Sequence, residues 1–198
     1  IAGPSGIGKT TLLRTIAGLV PPISGSIEVC GGDPSSPPKR GELGYVPQKL
    51  GLVRHASVLH NVMIGANAGN KSPWALLPSS IARSKALEAI SSMGLMDKIG
   101  EPVRRLSGGQ QRRVATARTL AQSPKLIMAD EFLSELDDET MQTVLDSVTD
   151  YVRSSDSALL VVEHDISRAK SMADRLLVID DGRINPFITE ITALEVKV

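Results

Sequence analysis

Cysteine is almost absent from this chain. Cys30 stands alone, so no disulfide can close within it, and a reducing cytoplasm suits such a sequence. No apolar run reaches the length that crosses a bilayer, and the longest, such as Ala158–Val162, have the length of a buried strand. No leading segment has the layout of a signal peptide. Neither sign of charge dominates: 22 Lys and Arg balance 22 Asp and Glu. That removes the global argument for a nucleic-acid partner and leaves only a local patch open. No Cys/His cluster has zinc-site spacing, and neither an internal repeat nor a low-complexity segment is visible.

What remains is ordinary for a globular domain: 198 residues, 41% hydrophobic and 22% charged, enough for one domain with a real core. The chain is organised around its start. Gly3-Pro4-Ser5-Gly6-Ile7-Gly8-Lys9-Thr10 fits the phosphate-loop pattern of Gly, four residues, Gly, Lys and Ser/Thr. Glycines let backbone N–H groups approach phosphate oxygens, Lys9 reaches the outer phosphates, and the Thr10 hydroxyl is a hard ligand for Mg²⁺. Thr11–Ala17 reads as a helix stopped by Gly18, its N-terminus directing about half a positive charge at the phosphates. Only Ile1 and Ala2 precede the loop, so the strand that feeds it is expected to begin further upstream.

Strands are expected over Ser26–Val29, Leu43–Val46, Lys125–Ala129, Ala158–Val162 and Arg175–Ile179, the last turned by Asp181-Gly182 into Arg183-Ile184. Ser57 and Ser80 are candidate caps for two helices, the second with apolar positions Ile81, Ala82, Leu87 and Ile90 and a stop at Gly94. Helices are also expected over Gln110–Ala121, Asp138–Val152 and Ile166–Met172. The alternation argues for an α/β fold with a mainly parallel, buried sheet, in which residues 50–122 form a helical insertion within one domain. Residues 185–198 alternate weakly (Ile188, Ile191, Leu194) and carry no assignment.

Leu106-Ser107-Gly108-Gly109-Gln110 opens a helix that also carries Arg112 and Arg113. Its serine cap, two glycines and helix start form a second anion site. Leu126–Ala129 delivers Asp130-Glu131 to the carboxyl end of a strand, where open α/β sheets bind ligands. Asp130 is suited to hold Mg²⁺ and Glu131 to deprotonate an attacking water. Ser134-Glu135-Leu136-Asp137 follows, with Asp137 equally placed to cap a helix. His164 ends a strand; His55 and His60 read as surface or packing residues.

The order of Gly3–Thr10, Gln48, Leu106–Gln110, Asp130-Glu131 and His164 resembles the ATP-binding cassette (ABC) ATPases over nearly the whole chain. The resemblance implies a P-loop NTPase fold, ATP and Mg²⁺ as cofactors, and a head-to-tail dimer. In it Ser107 and Gly109, with Gly108 and Gln110 beside them, meet the nucleotide held by the partner's loop. It further implies nucleotide contacts from Gly3 through Thr11 and from Gln48, metal contacts from Thr10, Gln48 and Asp130, and catalytic roles for Lys9, Glu131 and His164. Ser134–Asp137 resembles the loop that crosses the dimer interface. Phe132 stands where that family usually has proline, which predicts altered loop packing. The family's adenine-stacking aromatic lies upstream of the loop, and Tyr45 is not its equivalent.

The implied function is an ATPase subunit, peripheral on the inner face of the membrane, that drives a separate permease, with import favoured. The layout of Val58-Leu59, Asn61-Val62, Gly65, Trp74 and Leu76-Leu77-Pro78 resembles the insertion of phosphonate-importer ATPases, although Trp74 reads equally as a core or permease contact. Two alternatives stand: a member of the superfamily acting on DNA or ribosomes, and a non-hydrolysing regulatory module. The second requires loss of Lys9, Glu131 or His164, and all three are present.

Overall fold

The computed structural model describes residues 1–32, 36, 38–68, 80–133, 136–181 and 183–185. Three strands, β1 (Leu43–Val46), β2 (Leu126–Asp130) and β3 (Ala158–Val162), form a parallel sheet in the order β1-β2-β3. Leu43 pairs with Leu126 and Leu126 with Ala158, so the three carboxyl ends lie along one edge. Ile1 and Ala2 extend this layer. Glu163 N–H donates to Ile1 O at 2.9 Å on one side, and Ile179 N–H donates to Ala2 O at 2.8 Å on the other. Beyond them β4 (Val178–Asp180) and β5 (Arg183–Asn185) form an antiparallel hairpin. Gly3, Gln48, Glu131 and His164 therefore all emerge at the same sheet edge.

Helix α1 (Lys9–Ile16) follows the phosphate loop and packs Leu13 against Met128 and Val162. A larger cluster fills the opposite face. It runs from Val46, Ile127 and Ala129 through Val144 and Val148 of α5 (Asp138–Ser154) to α2 (Val58–Ala68), α3 (Ser80–Ser92) and α4 (Gly108–Ala121). The short α6 (Ile166–Met172) packs Ala169 against Ala2, Leu176 and Val178. Helices α2 and α4 approach so closely that a Cβ on Gly65 would collide with the Arg118 carbonyl. None of the helices among the described residues is long and apolar enough to cross a membrane.

Local signals place most helix ends. Ser57 Oγ accepts the His60 N–H at 3.1 Å, and Gly18 and Gly94 take positive φ just past α1 and α3. Three expectations fail. Ser26–Val29 is irregular, because alternation makes a strand only where a ladder partner is present, and none stands beside it among the described residues. The strand expected from Arg175 begins at Val178, where β5 reaches it. Ser80 is the first residue of α3 and not its cap, and the buried face of that helix is set by Ala82, Ala86, Ala89 and Ile90. Trp74, Leu76–Pro78, Ser134-Glu135, Gly182 and residues 186–198 lie outside the described residues.

Candidate functional site

The phosphate loop is shaped by the sheet beneath it. At Gly3 a Cβ would sit 2.6 Å from the backbone oxygen of Ile179, so only glycine lets the chain leave the sheet there. Gly6 and Gly8 take φ of 82° and 105°, and Gly8 caps α1 without a side-chain hydrogen bond. Pro4, Ser5, Gly6 and Thr10 face solvent, whereas Lys9 is buried. The Lys9 ammonium donates to the carbonyls of Gly3 at 2.7 Å and Pro4 at 3.0 Å. Its charge is thus held against the loop that a phosphate would enter.

Asp130, at the end of β2, is 2% exposed. The Thr10 and Tyr45 hydroxyls hydrogen-bond its carboxylate, yet Oδ2 is buried without a partner. Burial pushes this carboxyl above its ordinary range, and the Thr10 hydrogen bond opposes that rise. A buried oxygen without a donor, beside a threonine hydroxyl, fits a hard divalent cation such as Mg²⁺.

The next residue, Glu131, has φ of 50° and presents its carboxylate between two partners. Gln48 Nε2 donates to Oε2 at 3.1 Å, and His164 Nδ1 lies 3.7 Å from Oε1. The backbone is fixed as well: Glu131 N–H donates to Val162 O at 3.0 Å, and Arg112 Nη1 donates to Glu131 O at 3.1 Å. Phe132 and Leu133 then turn into the core, each 1% exposed. A carboxylate held this way can accept a proton from a water in front of it.

The structure brings Lys9, Thr10, Gln48, Asp130, Glu131 and His164 together. It does not bring Ser107–Gln110 to the loop: among the described residues no hydrogen bond or ion pair joins them to Gly3–Thr10. These residues form a capping box at the start of α4. Gln110 N–H donates to Ser107 Oγ at 3.2 Å, and Ser107 N–H donates to Gln110 Oε1 at 3.0 Å. The basic pair behind them is tied to the backbone. Arg113 donates to Met93 O at 2.9 Å and Arg112 to Glu131 O, so both guanidiniums satisfy backbone carbonyls. Asp137 caps α5 by accepting the Thr140 N–H at 2.9 Å, which holds its carboxyl below the ordinary range.

Two neighbours of the site escape a reading by motif. Tyr45 could be found from the burial alternation of β1, which turns Gly44 and Val46 inward and leaves Tyr45 on the face that meets Asp130. Arg112 carries no local signal for its partner.

Comparison with known proteins gives a consistent result. The family described as "ABC transporter" matches residues 1–134. The hypophosphite import ATP-binding protein HtxD of Stutzerimonas stutzeri is 38% identical over 193 residues, covering 93% of this chain and 56% of that protein. The phosphonates import ATP-binding protein PhnC of Hyphomonas neptunium is 39% identical, over 92% of this chain and 72% of the relative. The thiamine import ATP-binding protein ThiQ of Salmonella typhimurium is 36% identical, over 93% and 76%. The chain thus spans little more than half of the first relative's length and about three quarters of the others'. Among solved structures, a dimeric ATP-binding cassette in a post-hydrolysis state with ADP and Pi superposes with a TM-score of 0.81. It is 28% identical, and the match covers 92% of this chain and 81% of that one. An inward-facing transporter of putative metal-chelate type gives 0.77 at 28% identity, over 93% and 71%.

Proposed function

This chain belongs to the ABC transporter family, and from that premise we propose that it is the ATP-binding and ATP-hydrolysing subunit of an importer. The observation that carries the reading is the Glu131 carboxylate, held between Gln48 and His164 beside the buried Asp130 and the phosphate loop.

The chemistry follows from these positions. Lys9 exchanges the carbonyls of Gly3 and Pro4 for phosphate oxygens, and the exposed amides of the loop and the start of α1 receive the rest of the charge. Thr10 and Asp130, with Gln48 alongside, would hold Mg²⁺, which neutralises charge on the phosphates when bound. Glu131 takes the proton of the attacking water. Gln48 and His164 fix the direction of its oxygens, so little reorganisation is needed at the moment of reaction.

Residues 50–122 act in this reading as the helical subdomain of a single cassette domain. Ser107–Gln110, remote from their own loop, serve the nucleotide of a second cassette in a head-to-tail dimer. The dimer sits on the cytoplasmic face of the membrane against separate permease subunits. The names of the relatives support import over work on DNA or ribosomes, and two of them point to phosphorus oxyanions as the cargo class. The test is Glu131→Gln. Magnesium-dependent turnover is expected to fall by roughly 10²–10⁴-fold while an ATP-bound dimer accumulates on size exclusion. Equal turnover in both proteins would remove Glu131 as the base.

A further inference from the structure

Glu131 occupies a backbone conformation that residues with a Cβ avoid: its φ is 50°. Such a conformation persists only where the surroundings over-determine it. Here each of the flanking peptide groups has a fixed end. The Glu131 N–H is bound to Val162 O of β3, and the Glu131 carbonyl is bound to the guanidinium of Arg112. Downstream, Phe132 and Leu133 are both sealed in the core. A proline at 132 would push the preceding residue toward extended backbone. Phenylalanine leaves the left-handed conformation open and anchors the chain by burial.

We propose that Arg112 is a positioning residue for the general base. Its guanidinium holds the Glu131 carbonyl so that the side chain points between Gln48 and His164. Arg112 is only 5% exposed, and it lies on the first turns of α4, directly after the Ser107–Gln110 capping box. Its charge is therefore desolvated, and a charge-assisted hydrogen bond to a carbonyl is strong there. The same bond ties the start of α4 to the carboxyl end of β2. Losing the donor frees the carbonyl and lets the peptide plane turn, which swings the carboxylate away from its two partners without disturbing Lys9, Thr10 or the loop amides.

The inference rests on Glu131 being the base. The experiment is Arg112→Met, which fills the buried space without a donor, beside Arg112→Lys, which restores one. Steady-state turnover, equilibrium ATP binding and hydrogen exchange are measured in the complete subunit. Arg112→Met is expected to lose about 10–100-fold in kcat, with ATP affinity within about twofold of the original, and Arg112→Lys to recover part of the loss. Added to Glu131→Gln, Arg112→Met should cost nothing further, because both changes act on one group. Unchanged kcat in Arg112→Met, or an equal loss in the Glu131→Gln background, overturns the assignment. If the unsubstituted chain fails to hydrolyse ATP, the functional reading falls, and hydrogen exchange still decides Arg112. Faster exchange at Glu131–Leu133, with α4 and β2 unchanged, supports the proposal, and unaltered exchange there refutes it.

Discussion

Glu163 is a buried carboxylate whose desolvation the charge of Arg168 only partly offsets. It is 1% exposed, and neither carboxylate oxygen has a hydrogen-bond partner among the described residues. Burial raises its pKa above the ordinary carboxylate value. A group whose folded pKa is raised gives its full contribution below the unfolded value, near 4.3, and loses it as pH climbs through the folded value. Glu163→Gln removes the ionisation. Its melting temperature should match that of the parent near pH 4 and exceed it by roughly 2–4 °C per kcal/mol at neutral pH. A variant less stable than the parent at pH 7.5 in differential scanning calorimetry would mean that the carboxylate has a stabilising partner. Residues such as Glu163 and Arg112 were illegible in the sequence for one reason. Their significance lies in what they face across the fold. Lys9, Thr10 and Asp130-Glu131 were legible because each carries its chemistry within a few neighbours of its own.

Secondary-structure elements follow the same division. The start of α2 at Ser57 and the ends of α1 and α3 at Gly18 and Gly94 were readable, since a cap is a local hydrogen bond or a local positive φ. Ser26–Val29 had the right alternation and no ladder, so it stayed irregular. How α2 and α4 meet was not readable either. Nothing in the sequence around Gly65 shows that the Arg118 backbone lies against it. Gly65→Ala should therefore destabilise the fold by about 1–3 kcal/mol, despite the better helix propensity of alanine. Urea unfolding would show a lower midpoint with an unchanged slope. A midpoint at or above that of the parent would place the helices further apart than described.

At the scale of the molecule, one continuous apolar cluster links the helices α2, α3 and α4 to the sheet through Val46, Ile127 and Ala129. Among the described residues the helical part has no separate core. Thermal unfolding is then expected as a single transition, with circular dichroism and hydrogen-exchange loss in α3 and β2 coinciding. Earlier loss of α3 alone would make the insertion an independent unit. The strand–helix alternation was enough to predict the parallel sheet. It could not predict that Ile1 and Ala2 would lie between β3 and the β4–β5 hairpin, because that placement joins the two ends of the described chain.

That placement also bears on biosynthesis. The phosphate loop is among the first of these residues to leave the ribosome, and His164 is among the last. They share one edge only after β3 is laid beside Ala2. A nascent chain halted before that point lacks the neighbours that flank Ala2 and shape the loop, and its Glu131 carboxylate lacks its histidine. The phosphate loop and the Gln48–Glu131–His164 group are therefore completed by the same strand pairing.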